Sequence, residues 1–358
     1  MTLEQLLNKN VDRRQFLKAT GLAAAGLLAG PGCATVLPIL NETKQDVANI
    51  QWDCNPILSI PKEGCYTGTN CQGSQIGYNR LRTPSEQANE CIEGFLARYG
   101  IIPTFHAFGH GHYATSNDNF PSEACAADIN RGVIPVIRYV TRPFDSYKQV
   151  TLGKFDDAFK KFAGQSAEFG KPVIILPWQC VNAPNTEIWE WAGASASQYQ
   201  EAWVRMHEVF LREGANRNTV WSTKLINGKW ARDPVPFIPP QEYVDIIGWN
   251  NGAWLSRNIL GTANLSFGNQ FHYDYIRTAK KYPAKLHMFW EIGACGSGQT
   301  EWIDDALKSI QNDYPRVKGV MFDVMPDEEY DPRHTEQTVE IIKKHFSGHY
   351  YIGSAIKK

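Results

Sequence analysis

The chain alternates short apolar runs, rich in β-branched and aromatic residues, with longer segments of helical periodicity. In one such segment, Phe155, Phe159 and Phe162 recur at the spacing that places them on one face of a helix. Glycine follows several of these segments, as at Gly170 and Gly214, where a left-handed residue ends a helix. The runs that predict strands are 64–67, 101–105, 133–139, 172–178, 219–223, 244–249, 286–291 and 317–323.

Eight strands that alternate with helices fit either an open doubly wound sheet or a closed barrel. No glycine-rich phosphate loop follows the first predicted strand, and this removes the main reason to choose the open sheet. Eight such units in a chain of 358 residues are typical of a barrel. The sequence therefore predicts an α/β fold class, a single-domain (β/α)8 TIM barrel over residues 63–350.

The first residues predict an export signal rather than part of the fold. Paired Arg13 and Arg14 are followed by a short apolar run of small residues from Ala19 to Gly30. This order indicates the twin-arginine route, which carries folded proteins out of the cytoplasm. The run is too short for a transmembrane helix, which needs about 20 apolar residues. We assign residues 1–36 to the signal and 37–62 to an N-terminal extension, and we expect a periplasmic, cell-surface or extracellular location.

The cysteines suit an exported chain. Cys33 closes the apolar run and is a candidate for a lipid anchor, although the residues before it lack the leucine usual at such sites. Four of the eight cysteines crowd the start of the mature chain, and we expect at least one disulfide among them, with the pairing left open. These four are Cys54, Cys65, Cys71 and Cys91.

Composition excludes some partners. The net charge is −1, which gives no electrostatic basis for binding nucleic acid or an anionic membrane surface. His110 and His112 are spaced like metal ligands but lack a third ligand, so we predict no metal and no cofactor. The 11 Trp, 15 Tyr and 17 Phe include candidates for the flat faces on which sugar rings stack.

Reactive side chains in such barrels come from the C-terminal ends of the strands. Glu291 is the most prominent candidate, because it ends the apolar run Met288-Phe289-Trp290 on a rigid strand. The alternative is a structural ion pair with a basic residue such as Arg138. The other polar or aromatic candidates for substrate binding at these ends are His106, Arg138, Trp178, Gln179, Cys180, Asn182, Trp249, Asn250 and Asp323.

From about Cys65 to about Asp323 the sequence resembles glycoside hydrolase family 26, the β-mannanase-like barrels. The segments that carry the resemblance are 132–137, 155–173, 199–203, 214–216, 243–248 and Glu291-Ile292-Gly293. The resemblance implies a retaining hydrolase of polysaccharide or oligosaccharide, of the endo-β-mannanase or β-glucanase kind. It also implies that Glu291 is the nucleophile and that a second carboxylate after strand four is the general acid/base.

The second carboxylate departs from the family pattern. The family usually has His-Glu-x-Asn after strand four, whereas this chain has Gln179-Cys180-Val181-Asn182, so a thiol stands at the acid position. Glu187 and Glu190 in the following loop are the candidates to replace it.

We therefore expect an exported glycoside hydrolase. The alternatives are a catalytically impaired glycan-binding barrel, or a transglycosylase in exopolysaccharide processing on the same scaffold.

Overall fold

The computed structural model describes residues 43–71, 84–111, 119–140, 146–183, 194–228, 231–251, 266–294, 298–324 and 335–353. Residues Thr43–Lys358 form one compact unit. The predicted signal, Cys33, Glu187 and Glu190 lie outside the described residues, and the three segment boundaries stay predictions. Among the described residues, no helix is both long and apolar enough to cross a membrane.

The strands form one curved sheet in which every pairing is parallel. They follow the order β5-β4-β3-β2-β1-β9-β8-β7-β6, with β10 beside β1. Their bounds are β1 Cys65–Cys71, β2 Phe105–Gly111, β3 Ile134–Val140, β4 Val173–Pro177, β5 Thr219–Trp221, β6 Leu225–Asn227, β7 Ile246–Asn251, β8 Leu286–Ile292, β9 Val317–Val324 and β10 Tyr351–Ile352.

One stretch of chain, from β5 to β6, closes this sheet into a barrel. β5 pairs with β4, and β6 pairs with β7. Between them, the Ser222 amide donates to the Ile175 carbonyl at 3.1 Å, and the Thr223 amide donates to the Ile246 carbonyl at 3.2 Å. Residues 219–227 therefore act as one wall strand that changes partners halfway along. With this wall counted once, the predicted eight-stranded α/β barrel is confirmed.

Amphipathic helices surround the sheet, and their buried faces follow the predicted spacing. Phe159, Phe162 and Ala163 are all buried on one helix, which ends at Gly170 with a φ of +62°. The helices are α1 Lys44–Ala48, α2 Pro84–Tyr99, α3 Ser122–Asn130, α4 Ser146–Thr151, α5 Asp156–Phe169, α6 Ala196–Arg212, α7 Phe267–Lys281, α8 Gln299–Asp313 and α9 Glu336–Phe346.

The second strand lies later in the chain than its apolar pattern predicts. The run 101–105 was expected to be the strand, but β2 begins only at Phe105 and continues to Gly111. Pro103 has no amide hydrogen to donate, and the first bond to β1 comes from the Thr104 amide to the Thr67 carbonyl at 2.8 Å. Gly109 and Gly111, in the second half of β2, pair in register with Arg138 and Val140 of β3.

The barrel interior is apolar through its middle. Inward side chains of β2, β3, β4, β5, β7, β8 and β9 form this core, and Trp290 of β8 is among them. The Trp290 indole donates to the Ser222 hydroxyl at 2.6 Å and meets Phe105 edge-on at 5.9 Å. Gly248 leaves the space for it, because a Cβ there would lie 2.1 Å from the indole nitrogen.

The N-terminal end of the barrel is covered by residues 52–62, here called the floor segment. Leu58 belongs to the barrel core, and Trp52, Cys54, Ile57 and Ile60 pack against it. The Asp53 amide donates to the Ala284 carbonyl at 2.9 Å, and the Asn55 amide donates to Asp245 Oδ1 at 2.8 Å. These partners immediately precede β8 and β7, so the floor segment seals the end opposite the predicted site.

The cysteines of the described chain divide into two kinds. Cys54 and Cys65 are free thiols, and burial raises the pKa of each well above its ordinary value. Cys91 is disulfide-bonded, and its sulfur lies 3.8 Å from the Thr69 hydroxyl of β1. Which cysteine pairs with Cys91 stays a prediction.

Candidate active site

A layer of polar side chains lies above the apolar core, at the C-terminal end of the barrel. Side chains alternate between the two faces of a strand, so residues two positions beyond a core residue also point inward. This register places Arg138 of β3 and Asn250 of β7 on the inner face, with Lys224 between β5 and β6. Asn70 is the last inward-facing residue of β1, and it pairs in register with Asp323 of β9. Asn70, Arg138, Lys224, Asn250 and Glu291 are all buried.

A bulge in β8 brings Glu291 into this layer. In the pairing with β7, Trp249 stands opposite Phe289, but the next residue, Asn250, stands opposite Glu291. Trp290 is therefore the extra residue, and both Trp290 and Glu291 belong to the interior. Bulges of this kind redirect a side chain and are common beside active sites.

The Glu291 carboxylate is held by an ammonium group. Lys224 Nζ donates to Glu291 Oε2 at 2.5 Å and to Gln179 Oε1 at 3.1 Å. The two charged side chains are 1% and 4% exposed, so the ion pair is shielded from solvent. The sequence suggested Arg138 as the basic partner in a structural ion pair, whereas the described partner of Glu291 is Lys224.

The turn that leaves β4 brings Gln179 and Cys180 to the same place. Trp178 and Cys180 have φ values of +46° and +60°, a left-handed conformation that non-glycine residues rarely adopt. The Cys180 amide donates to the Lys224 carbonyl at 2.6 Å, which ties the turn to the neighbouring wall. Backbone strain of this kind collects at functional sites and persists only where the surroundings impose it.

Cys180 is a poor replacement for a carboxylic acid in this setting. Asn250 Nδ2 lies 3.1 Å from the Cys180 sulfur. Burial raises the pKa of the thiol to about 12, against a lowering effect of Lys224 and a further raising effect of Glu291. At neutral pH the group is therefore a neutral thiol. Its pKa therefore lies far above the range near neutrality that a general acid/base needs.

Asn182 has a structural environment. Its amide nitrogen donates to the Ile226 and Arg232 carbonyls at 2.8 and 2.9 Å, and its oxygen accepts from the Ile226 amide at 2.8 Å. Each of these bonds joins the loop after β4 to the chain around β6. This side chain therefore fixes the wall beside the site, and its described bonds leave it little capacity for a ligand.

Three predicted site residues lie between the strands and the helices instead of in the polar layer. His106 follows the inward Phe105, so it faces α3, where Asp128 is 2.9 Å from its Nδ1. Trp249 precedes the inward Asn250 and donates from its indole to His287 Nδ1 at 3.2 Å. Trp178 packs edge-on against Tyr147 and Tyr199. Strand alternation is the physical reason for the first two placements.

Lys224 and Asn70 are the members of the layer that sequence reasoning missed. A lysine inside the run Val220 to Ile226 was a usable signal, because a charge in a buried strand needs a partner. Both amide atoms of Asn70 and the Oδ1 of Asn250 are buried and have no hydrogen-bond partner within the described residues. Around the Cys180 thiol, the charged groups of the described chain are Lys224, Glu291 and Arg138.

No metal site emerges from this part of the chain. Among the described residues, no group of three or more His, Cys, Asp and Glu side chains could hold an ion. For Asp323 the structure gives the strand position alone. Glu187 and Glu190, the candidates for the second carboxylate, lie outside the described residues.

Comparison with solved structures finds similar barrels. The YdhT protein from Bacillus subtilis is 15% identical, with a TM-score of 0.58 over 89% of this chain and 94% of that one. Mannanase man26 from Bacillus subtilis is 16% identical, with a TM-score of 0.57 over the same shares. A modular endo-β-1,4-mannanase of glycoside hydrolase family 26 from Cellulomonas fimi is 12% identical, with a TM-score of 0.58 over 81% of this chain and 72% of that one.

No protein-family model matches the sequence, and a search of curated proteins finds no match either. At such low identity the structural likeness establishes the fold alone. The chain has a barrel fold like that of the family 26 mannanases.

Proposed function

We propose that this protein is a retaining glycoside hydrolase that acts on a polysaccharide or oligosaccharide, with Glu291 as the nucleophile. The observation that carries the proposal is the position of Glu291, a buried carboxylate redirected by a bulge into the C-terminal end of the barrel. The hydrolase fold of the similar structures supports it.

The proposed reaction has two displacements. In the first, a Glu291 oxygen attacks the anomeric carbon, the bond to the leaving oxygen breaks, and a general acid gives that oxygen a proton. In the second, the same group, now a base, takes a proton from water, which attacks the anomeric carbon and releases Glu291. Glu187 or Glu190, in the segment after β4, is proposed as this acid/base.

The unsatisfied amides support a ligand with many hydroxyl groups. The two amide atoms of Asn70 and the oxygen of Asn250 are a buried donor and two acceptors without protein partners in the described chain. Leaving such groups unpaired costs about 1–3 kcal/mol each, so a bound sugar that hydrogen-bonds to them gains that amount. A hydroxyl group can both donate and accept, and it therefore suits amide groups of either kind.

A second candidate function is glycan binding without turnover. The observation that favours it is Cys180, a neutral buried thiol where the resemblance implies the acid. Such a protein would hold a sugar chain in the same site and would lack the group that protonates the leaving oxygen.

The decisive experiment compares Glu291→Gln with the exposed control Glu213→Gln on mannan, β-glucan and activated aryl glycosides. Hydrolysis requires that Glu291→Gln lower turnover about 10³-fold or more while Glu213→Gln leaves it unchanged. Replacing the true acid, at Glu187 or Glu190, should slow poor leaving groups far more than aryl glycosides, because a good leaving group needs no proton. Binding without turnover by wild type would contradict hydrolysis and support the second candidate.

We also propose export by the twin-arginine route, with residues 1–36 as the signal, and a disulfide within the cysteine group near the start of the mature chain. The paired arginines and the disulfide-bonded Cys91 support these two proposals.

A further inference from the structure

We propose that Lys224 is a positioning residue that holds one oxygen of Glu291 and so leaves the other to react. The catalytic part of this inference rests on the proposed hydrolase function. The pairing of the two side chains can be tested without any turnover.

The geometry divides the two carboxylate oxygens. Oε2 accepts from Lys224 Nζ at 2.5 Å, whereas no hydrogen bond to Oε1 occurs within the described residues. A carboxylate bound at a single oxygen keeps its second oxygen as a nucleophile. Because Lys224 fixes Oε2 from the direction of β5 and β6, it also fixes the direction in which Oε1 points.

Lys224 is itself anchored on three sides. Its carbonyl accepts from the Cys180 amide at 2.6 Å, and its ammonium also donates to Gln179 Oε1 at 3.1 Å. The residues just before it, Ser222 and Thr223, bond to β4 and β7. The lysine therefore lies where the wall strand changes partners, with the turn after β4 packed against it, and its stem has little freedom to move.

The pairing has a chemical consequence as well as a steric one. A buried carboxylate without a cation favours its protonated form, and an opposite charge within a few ångströms favours the ionised form, which is the nucleophile. Lys224 makes this direct contact with Glu291. The neighbouring Cys180 thiol has Lys224, Glu291 and Arg138 of β3 as its charged neighbours in the described chain.

The kinetic test uses Lys224→Met and Lys224→Arg, with Lys308→Met as the matched control. Lys308 forms an exposed ion pair with Asp304, also at 2.5 Å, on α8. With an activated aryl glycoside, we expect Lys224→Met to lower kcat about 10–100-fold while KM changes little, because the attacking oxygen loses its fixed direction. Lys224→Arg should recover most of the lost kcat, and the control should change neither quantity. An unchanged kcat in Lys224→Met, or no recovery in Lys224→Arg, would overturn the positioning role.

The pairing is tested separately by thermal unfolding of Lys224→Met, Glu291→Gln and the double variant at neutral pH. Lys224→Met leaves a buried unpaired carboxylate, so the double variant should melt at a higher temperature than Lys224→Met alone. Strictly additive shifts would show that the two side chains do not interact and would overturn the inference. A wild-type protein without hydrolase activity would remove the proposed function, whereas the melting cycle would still decide the pairing.

Discussion

At the scale of single residues, the buried His287 and the half-buried His207 are neutral in the folded protein at pH 7. Burial lowers the pKa of His207 from its ordinary 6.5 to about 4, and it lowers the pKa of His287 well below its ordinary value. His287 Nδ1 accepts from the Trp249 indole at 3.2 Å, which requires that nitrogen to be unprotonated. His207 lies against Trp221 and Tyr243, at 5.0 and 5.1 Å between ring centres.

These histidines predict a loss of stability in mild acid. Below about pH 6.5 the unfolded chain binds protons at these rings and the folded chain does not, so the free energy of unfolding falls as pH falls. The shift to about 4 predicts that His207 alone accounts for about 2 kcal/mol of loss between pH 7 and pH 5.

The measurement is urea unfolding of wild type and of His207→Phe, which keeps a ring that cannot be protonated. We expect the variant to lose less stability than wild type over this range. The comparison matters because Asp274, whose pKa burial raises to about 6, acts in the opposite direction in both proteins. Parallel curves for the two proteins would contradict the assignment.

Residue by residue, the sequence predicted the position of Glu291 and not its environment. A carboxylate after an apolar run marks a strand end, which is local information. The partner Lys224 is 67 positions away, and the contact exists only because the wall strand changes partners beside the bulge. His106 and Trp249 were predicted to line the site at or just beyond a strand end, whereas both lie inside their strands, on the face that points away from the barrel interior.

At the scale of elements, α6 begins with a complete capping box. The Ser195 hydroxyl accepts from the Gln198 amide at 3.1 Å, and Gln198 Oε1 accepts from the Ser195 amide at 3.0 Å. α6 buries Tyr199 and Trp203, and Trp203 packs against Trp221 of β5 at 5.7 Å between ring centres. Fraying of its first turn would loosen Tyr199, against which Trp178 packs.

We therefore predict that Ser195→Ala lowers the free energy of unfolding by about 1 kcal/mol, because the Gln198 amide loses its acceptor at the start of the helix. Ser197→Ala, two residues further along the same helix, is the control. Its hydroxyl only donates to Glu201 on the exposed surface, and alanine is the better helix former. Chemical denaturation of both variants checks the pair. Equal effects of the two substitutions would show that the cap contributes nothing.

Helices with a strong hydrophobic periodicity, such as α5 and α6, were predictable from the sequence. Strand boundaries that depend on backbone hydrogen bonding were harder to predict. The ladder of β2 starts only after Pro103, and β6 is too short and too close to β5 to be separated from it by pattern alone.

At the scale of the whole molecule, the floor segment joins distant parts of the chain. The Asn55 side chain donates to the Asn216 and Thr219 carbonyls at 2.8 and 2.9 Å, and it accepts from the Ile57 amide at 3.2 Å. These bonds link the start of the compact unit to the β5 end of the wall strand.

Asn55→Ala should lower the free energy of unfolding by about 2–3 kcal/mol, because three backbone groups lose their partner. Asn49→Ala changes an exposed residue whose cap contacts come from its backbone, and it should stay within about 0.5 kcal/mol of wild type. Differential scanning calorimetry distinguishes the two. A similar melting temperature for Asn55→Ala and wild type would mean that the floor segment is not held by this residue.

The barrel as a whole was predictable because its evidence repeats. The prediction of eight alternating strands and helices stays valid when several strand boundaries are misplaced. The prediction of a second carboxylate depends on the residue at a single position, and that residue is Cys180. The floor segment was assigned to an extension before the barrel, since nothing in residues 52–62 indicates which distant strands they meet.

The floor segment also has a consequence for how the protein is made. Asn55 meets Asp245 across 190 positions, Asp53 meets Lys285 across 232, and Lys62 meets Lys318 across 256. A ribosome adds about 5–20 residues per second, so Asn55 waits roughly 10–40 s for Asp245 to be synthesised. During that interval the barrel is incomplete, so Leu58 and its apolar neighbours cannot be buried. These side chains are the surface that a chaperone would bind on the nascent chain. The floor segment therefore leaves the ribosome long before the residues that it contacts in the folded barrel.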